Sequence, residues 1–425
     1  MYDEERVAEL RRWAITATEK GFGGPSHRDP VTAEQLATER PQARSGLLSS
    51  PRVLLRGEAL ANNISAMAEY CAAHQVALFP HGKTTMAPQI LAQQLRAGAG
   101  GITAATVSQV RRFRQFGIRD VLLANEAVDE ASIAWLAHEL TVDPELSFMC
   151  YVDSVQGVQR LDSILARRRF GGHLRVLVEL GHPAGRTGCR SLDEALAVAA
   201  AAGRSPRLTV AGVAGYEGSL AAATVDETVE AARRYCEQLG ELASTMLAAG
   251  HFEEHPTVTA GGSAYFDAVV AALAGHAEWR LVLRSGCYVT HDHGMYSRLS
   301  PFERARTPAR ALEPALEVWA PVLSRPEAET AVLGAGRRDI SFDAGNPVPL
   351  IAWTTDGAEA KTAGCRVERL FDQHAVVSVP SDSPLAPGDE VCLGISHPCT
   401  TMDKWRWIPV VDSDDRIVDV VRTFF

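Results

Sequence analysis

VALFPHGKTTMAPQILAQQLRAGAGGITAATVSQVRRFRQFGIRDVLLAN, residues 76–125, is the stretch whose reading decides the fold. An apolar run at 76–79 ends in Pro80-His81-Gly82-Lys83-Thr84, and a helical period over 86–97 follows. A second short run at 101–106 leads into a helical stretch at 107–116, then a third run at 120–124. Strands this short and apolar, separated by single helices, predict parallel pairing, because parallel neighbours need a crossover of a dozen or more residues.

The alternation continues outward from this stretch. Further strand runs are expected at 147–152, 174–180, 208–215, 257–260 and 280–283, with helical patterns at 130–139, 155–168, 192–202, 225–248 and 264–274. Upstream, 53–55 reads as a strand, and 58–74 as an amphipathic helix with Leu60, Ile64, Met67 and Cys71 on one face. Counted from 76, there are eight strands, which predicts an α/β fold of the (β/α)8 TIM-barrel type. An open doubly wound sheet is the alternative. After about residue 297 the long helical periods stop. Runs at 316–322, 329–333, 348–351, 374–379 and 390–395, separated by Gly, Pro and Asp turns, predict a second, mostly antiparallel β domain. The expected division is a 1–50 N-terminal extension with a short helix near 5–18, a 51–296 barrel, and a 297–425 β domain with a contribution from the N-terminal segment.

Composition narrows the function. The 425 residues are 46% hydrophobic and 22% charged, as in a globular protein with a sizeable core. A net charge of −10 argues against nucleic acid or an anionic membrane as the main partner. No run of 18 apolar residues is present, and the acidic start Tyr2-Asp3-Glu4-Glu5 is unlike a signal peptide, so a cytoplasmic protein is expected. Eight scattered cysteines without a CxxC read mostly as buried small hydrophobes.

In a TIM barrel the chemistry gathers at the C-terminal strand ends. Lys83 follows the first strand, Arg186-Thr187 the fifth, Tyr216-Glu217 the sixth, Gly261-Gly262-Ser263 the seventh, and Ser285-Gly286-Cys287-Tyr288 the eighth. Glycines after the last two strands let backbone N–H groups approach a phosphate. Taken singly, each has an ordinary explanation: a solvated lysine, a glycine turn, an arginine paired with a carboxylate, a rim tyrosine, a core histidine at His81. Their shared position at one end of the strands favours a site with phosphate at one side and an amine at the other, as pyridoxal 5'-phosphate (PLP) requires. Some three hundred residues later stands His397-Pro398-Cys399. In an extended segment, residues two apart share a side, and imidazole with thiolate suits zinc, with manganese the alternative. Two protein ligands make an open, catalytic-type site.

These motifs carry a resemblance. From about residue 50 to the end the chain resembles the fold-type III PLP enzymes, and within them the D-serine dehydratase and D-threonine aldolase group. His81-Gly82-Lys83-Thr84 is similar to that family's Schiff-base lysine segment, and Gly185-Arg186-Thr187-Gly188 to its arginine segment beside the cofactor ring. Gly261-Gly262-Ser263 and Ser285-Gly286-Cys287-Tyr288 are similar to its phosphate loops, and His397-Pro398-Cys399 to its metal pair.

The resemblance implies an alanine-racemase-type barrel, a homodimer, and a small amino-acid substrate. It implies Lys83 and Tyr216 as catalytic residues. The implied cofactor contacts are Lys83, His81, Arg186, Tyr216, Gly261, Gly262, Ser263, Gly286, Cys287 and Tyr288, with His397 and Cys399 on the metal. The activity it implies is elimination from β-hydroxy D-amino acids such as D-serine or D-threonine, giving a 2-oxo acid and ammonia. Retro-aldol cleavage is the runner-up, a racemase a further alternative, and a non-catalytic PLP-binding protein the reading from another class. Two departures stand out. Thr85 and Met86 occupy positions where relatives carry His and Lys, and the pair is His/Cys, as in the dehydratase branch, where aldolases tend to have His/Asp. His291-Asp292-His293 has no assignment from sequence.

Overall fold

The computed structural model describes every residue except 1, 25, 184, 305 and 307–309. All eight expected barrel strands form: Ala77–Leu78, Ile102–Ala104, Asp120–Glu126, Ser147–Val152, Leu174–Leu180, Leu208–Gly215, Thr257–Ala260 and Arg280–Leu283. They pair in parallel in chain order, and the eighth pairs with the first. The ring is completed between the first and second strands by a parallel bridge of His81 with Thr103, where the Thr103 N–H reaches Pro80 O at 2.9 Å. The barrel therefore closes through the segment that carries Lys83.

Local chemistry explains the crossovers. Thr106, Asp129, Ser154, Ser191 and Thr224 each begin a crossover helix and accept a backbone N–H from the first turn. Such caps are each worth about 1 kcal/mol. The helices bury their apolar faces on the outside of the sheet. Inside, Phe79, Leu122, Met149, Tyr151, Leu177, Ala211, Ala214 and Val282 fill the barrel, so its interior is a core and not a channel. A register shift between the fifth and sixth strands makes Ala211 an extra residue. At the next position Gly212 comes so near Thr257 that a Cβ would lie 1.9 Å from its carbonyl oxygen.

The second domain is mostly antiparallel, as expected, with a parallel pair between Trp407–Val411 and Arg52–Arg56. Its central strand, Leu316–Glu327, pairs with Glu390–Gly394, Thr330–Leu333 and Arg52–Arg56. The strand Arg52–Arg56, expected within the barrel at 51–296, joins this sheet instead and is held also by an ion pair of Arg52 with Glu390. The extension before it departs from the expected single helix. Helix Glu4–Glu9 and a 3-10 turn, Leu10–Arg12, give way to a strand, Ala14–Ile15, paired with Val31–Thr32. Trp13, Ile15, Thr16 and Thr18 are poor helix continuers, and Ile15 joins Phe22, Leu36 and Leu48 in a cluster against Trp319 and Trp407 of the second domain. Val7 and Leu10 pack instead on Ala92 and Phe116 of the barrel. Among the described residues, no helix is long and apolar enough to cross a membrane.

Candidate active site

The barrel mouth and the second domain enclose a cavity of about 490 Å³, within the range of small-molecule sites. Lys83 enters it from a 3-10 turn, Gly82–Thr84, directly after the first strand. The turn lies close against the end of the eighth strand, where Gly286 has no room for a side chain. A Cβ there would meet Thr84 Oγ1 at 2.6 Å and His81 Cβ at 2.8 Å. This approach sets Lys83, His81 and Cys287 around one wall. His81 Nδ1 has no partner, and desolvation followed by the charges of Lys83, Arg284 and Arg186 holds its pKa well below the usual imidazole range. The ring is therefore neutral.

Arg186 lies with its guanidinium 4.5 Å from the centre of the Tyr216 ring, and both line the cavity. Burial, then the nearby Glu217 carboxylate, pushes the Tyr216 phenol up to about 12. Glu217 was not expected to have a task. It is fully buried and accepts the N–H groups of Gly262 at 2.6 Å and Gly261 at 3.0 Å. Two of the donors expected to face a phosphate are therefore directed at Glu217, while Ser263 lines the cavity wall with Gly286 and Cys287. Ser285 Oγ donates to Gly262 O at 3.1 Å and ties the seventh and eighth loops together.

Tyr288 is the expected contact that does not reach the cavity. Its ring is buried behind the turn Cys287–Val289, and its hydroxyl accepts Gln94 Nε2 at 2.8 Å. Consecutive side chains of such a turn diverge, so the one that turns Cys287 inward sends Tyr288 outward.

His397 and Cys399 do converge, but not through an extended segment. Pro398 has φ −61° and ψ −45°, and Cys399 opens a one-turn helix, Cys399–Met402. Proline's fixed φ suits the entry to a helix, so the segment curls where alternation had been expected. His397 Nδ1 is 2.6 Å from Asp343 Oδ2, and Thr400 Oγ1 donates to the other carboxylate oxygen at 2.8 Å. Burial works against the charged imidazole, yet the Cys399 sulfur and the Asp343 carboxylate raise His397 to about 9. The hydrogen bond from Cys287, then the neighbouring His397 acting against burial, holds the Cys399 thiol well below its usual value.

His291, Asp292 and His293 do not line the cavity. Asp292 accepts the N–H groups of Gly294, Tyr296 and Ser297 and so starts helix Met295–Leu299, which carries Met295 and Tyr296 to the cavity wall.

Sequence reasoning passed over several residues at the site. Arg284, buried at the end of the eighth strand, donates to Thr259 Oγ1 and Gly215 O. Its place directly before Ser285-Gly286 was a usable signal. Glu179, a single acid in an apolar strand, was another. It meets Glu126 and Asp153, with carboxylate atoms all within 4.8 Å of one another. Burial, then Glu179, raises Glu126 to about 8. A carboxyl group with a native pKa above its unfolded value of about 4.3 contributes stability at low pH and loses it as pH rises through the native value. Glu126→Gln is therefore expected to gain thermal stability relative to the parent between about pH 5 and pH 9, by about 2 °C or more at the upper end. Paired melting curves across that range check this, and parallel curves contradict it.

The residues present fit a PLP-like group. A lysine amine, an arginine stacked on a tyrosine and a buried serine surround one cavity, and His81 Nδ1, Tyr151 OH and Glu179 Oε2 are desolvated without partners. The sulfur and imidazole atoms of Cys287, His397 and Cys399, all within 4.8 Å, fit a soft divalent ion.

Comparison with known proteins agrees with this geometry. The family described as "Alanine racemase, N-terminal domain" matches residues 55–282, and that described as "Putative serine dehydratase domain" matches residues 315–411. The 3-hydroxy-D-aspartate aldolase of Paracoccus denitrificans (strain Pd 1222) is 27% identical over 362 residues, 85% of this chain and 88% of the relative. The D-threo-3-hydroxyaspartate dehydratase of Delftia sp. (strain HT23) is 26% identical over 254 residues, 58% and 62% of the two chains. The crystal structure of D-threonine aldolase from Filomicrobium marinum superposes with a TM-score of 0.74 at 25% identity, covering 88% of this chain and 95% of that one. The protein belongs to the alanine-racemase-like, fold-type III family of PLP-dependent enzymes, in the branch of D-threonine aldolases and D-3-hydroxyaspartate aldolases and dehydratases. Its homologues are lyases.

Proposed function

We propose that the protein is a PLP- and metal-dependent lyase that eliminates water from β-hydroxy D-amino acids such as D-serine and D-threonine, the resulting enamine then being hydrolysed to a 2-oxo acid and ammonia. The observation that carries this reading is one cavity lined by both the Lys83 amine and the His397/Cys399 pair. In it, Lys83 holds the cofactor covalently. Arg186, Tyr216 and the neutral His81 would line its site, and Ser263 with the Gly286 loop would face its phosphate, since the Gly261 and Gly262 N–H groups are taken by Glu217. His397 and Cys399 hold the metal, with zinc suited to the thiolate. When bound, PLP supplies an aldehyde for the substrate amine and a ring that spreads negative charge from Cα, and the metal supplies a Lewis acid for the β-hydroxyl.

The chain's own residues do the rest. Lys83, as a free amine, would remove the proton from the substrate's Cα. Tyr216, whose phenol stays protonated well above neutral pH, positions the substrate and can return a proton. Asp343 keeps the His397 ring oriented. A homodimer is carried over from the family resemblance.

Elimination and retro-aldol cleavage differ in what happens at the β-hydroxyl. Retro-aldol cleavage needs a base there. Among the described residues, the side chains of Cys287, Thr84 and Asp343 contact the His397/Cys399 pair, with Tyr296 against Cys287. The Cys287 thiol is held well above its usual value, first by its hydrogen bond with Cys399 and then by burial, and Asp343 is engaged by His397 and Thr400. Burial raises the Tyr296 phenol well above its usual range, so it is no base at neutral pH. This favours elimination, in which Lys83 is the base and the hydroxyl leaves. The second reading, a D-specific aldolase, is favoured by the aldolases among the relatives.

The two separate on D-threonine with added PLP and zinc. Elimination gives 2-oxobutanoate and ammonia, the expected result. Glycine and acetaldehyde in their place would establish the aldolase.

A further inference from the structure

The motif that suggested a metal pairs two residues of the second domain, and the fold brings a third donor to them from the barrel. Cys287 Sγ lies 3.3 Å from Cys399 Sγ, and the donor atoms of Cys287, His397 and Cys399 all fall within 4.8 Å of one another. Cys287 stands at the start of the turn after the eighth barrel strand, more than a hundred residues from the other two. Its inward direction is set by the packing of Gly286 against the Lys83 turn.

The spacing suits a shared ion. Tetrahedral zinc with Zn–S bonds of about 2.3 Å places two thiolates about 3.8 Å apart, so opening the sulfur pair by about 0.5 Å seats the metal. The surroundings suit it as well. Asp343 occupies His397 Nδ1, which leaves Nε2 as the coordinating nitrogen, the usual arrangement of a metal-bound histidine backed by a carboxylate. Thr84 Oγ1 accepts from Cys399 Sγ at 3.4 Å and lies 4.0 Å from Cys287 Sγ, so one hydroxyl touches both sulfurs.

We propose that Cys287 is the third protein ligand of the metal, forming a Cys2His centre that joins the barrel to the second domain and leaves one position open for the substrate. The proposal rests on the metal reading given under the proposed function and deepens it. Two thiolates balance the charge of a divalent ion and select zinc over manganese or magnesium, which prefer oxygen ligands. Three protein ligands and one open position are the pattern of catalytic zinc sites. With a single open position the substrate reaches the metal through one oxygen and does not chelate it. Cys287 also makes the ion a tie between the domains.

The test counts sulfur ligands on the full-length, PLP-loaded protein with one equivalent of zinc. X-ray absorption is expected to give two sulfur neighbours near 2.3 Å in the parent and one in Cys287→Ser. Competition with a chelator is expected to show zinc held at least about 10–100-fold more weakly in that variant, since even outer-shell partners carry that much. In cobalt-substituted protein, the thiolate charge-transfer band is expected to fall by about half, and PLP absorbance reports that the pocket is retained. The parent's sulfur count does not depend on the variant folding.

One sulfur neighbour in the parent, with zinc affinity unchanged in Cys287→Ser, would overturn the role of Cys287 and leave the His397/Cys399 pair standing. No zinc uptake by the parent would remove the metal reading itself. A Cys287–Cys399 disulfide in zinc-loaded protein, found by mass spectrometry after thiol blocking, would also overturn the proposal.

Discussion

Lys83→Ala is expected to yield a folded protein that no longer retains PLP through dialysis and has lost at least about 10³-fold of its activity. Two losses coincide in one residue. In the proposed mechanism the amine is the covalent tether, so the visible absorption of the lysine-bound cofactor is expected to disappear. The same amine is the proposed base at Cα, and a positioned proton-transfer group contributes about 10²–10⁴-fold by itself. The fold is expected to survive because Lys83 is partly exposed to the cavity and makes no described hydrogen bond or ion pair, while the turn around it is held by Thr84 and by the His81–Thr103 bridge. Absorbance after dialysis and a melting curve check both halves. A variant that kept the cofactor band would remove Lys83 from its proposed role, and with it the reading of the whole cavity.

The second large effect concerns the metal. Chelation, or Cys399→Ser, is expected to lower activity by roughly a hundredfold or more while leaving the cofactor absorption in place. A Lewis acid on a leaving or ionising oxygen contributes several kcal/mol, and each 1.4 kcal/mol corresponds to about tenfold in rate. The proposed contacts of cofactor and metal are different residues of the same cavity. Lys83, Arg186, Tyr216 and Ser263 belong to barrel loops, whereas His397 and Cys399 belong to the second domain. The two losses are therefore separable, and adding zinc back after chelation is expected to restore the rate. An unchanged rate in chelator, with zinc shown to be absent, would leave a PLP enzyme whose β-hydroxyl chemistry needs no metal. A racemase or a PLP carrier would behave in that way.

Much of this protein was legible in local pattern. Each barrel strand is a short apolar run, five of them followed by a capped crossover helix, and such runs are visible because both faces of a parallel strand are buried. The lysine, the arginine segment and the glycine loops were legible because they sit at strand ends, where the barrel places chemistry. The end of the N-terminal helix was less so. The choice between helix and strand around Ile15 is made by a hydrophobic cluster with Trp319 and Trp407, residues hundreds of positions away.

By itself, the sequence determined the order of strands and crossover helices, the second β domain, the lysine segment and the His/Cys pair, since all four depend on neighbours within a few residues. Only the tertiary structure decided the rest. It directed the Gly261 and Gly262 N–H groups to Glu217, sent Tyr288 outward to Gln94, assembled the Glu126–Asp153–Glu179 cluster, and set Cys287 3.3 Å from Cys399. The physical reason is common to these cases. A hydrogen bond, a shared proton or a shared ion depends on distances of a few ångströms between segments far apart in the chain. Those distances are set by how strands close into a ring and how the second domain sits on its mouth, which no short window of residues encodes.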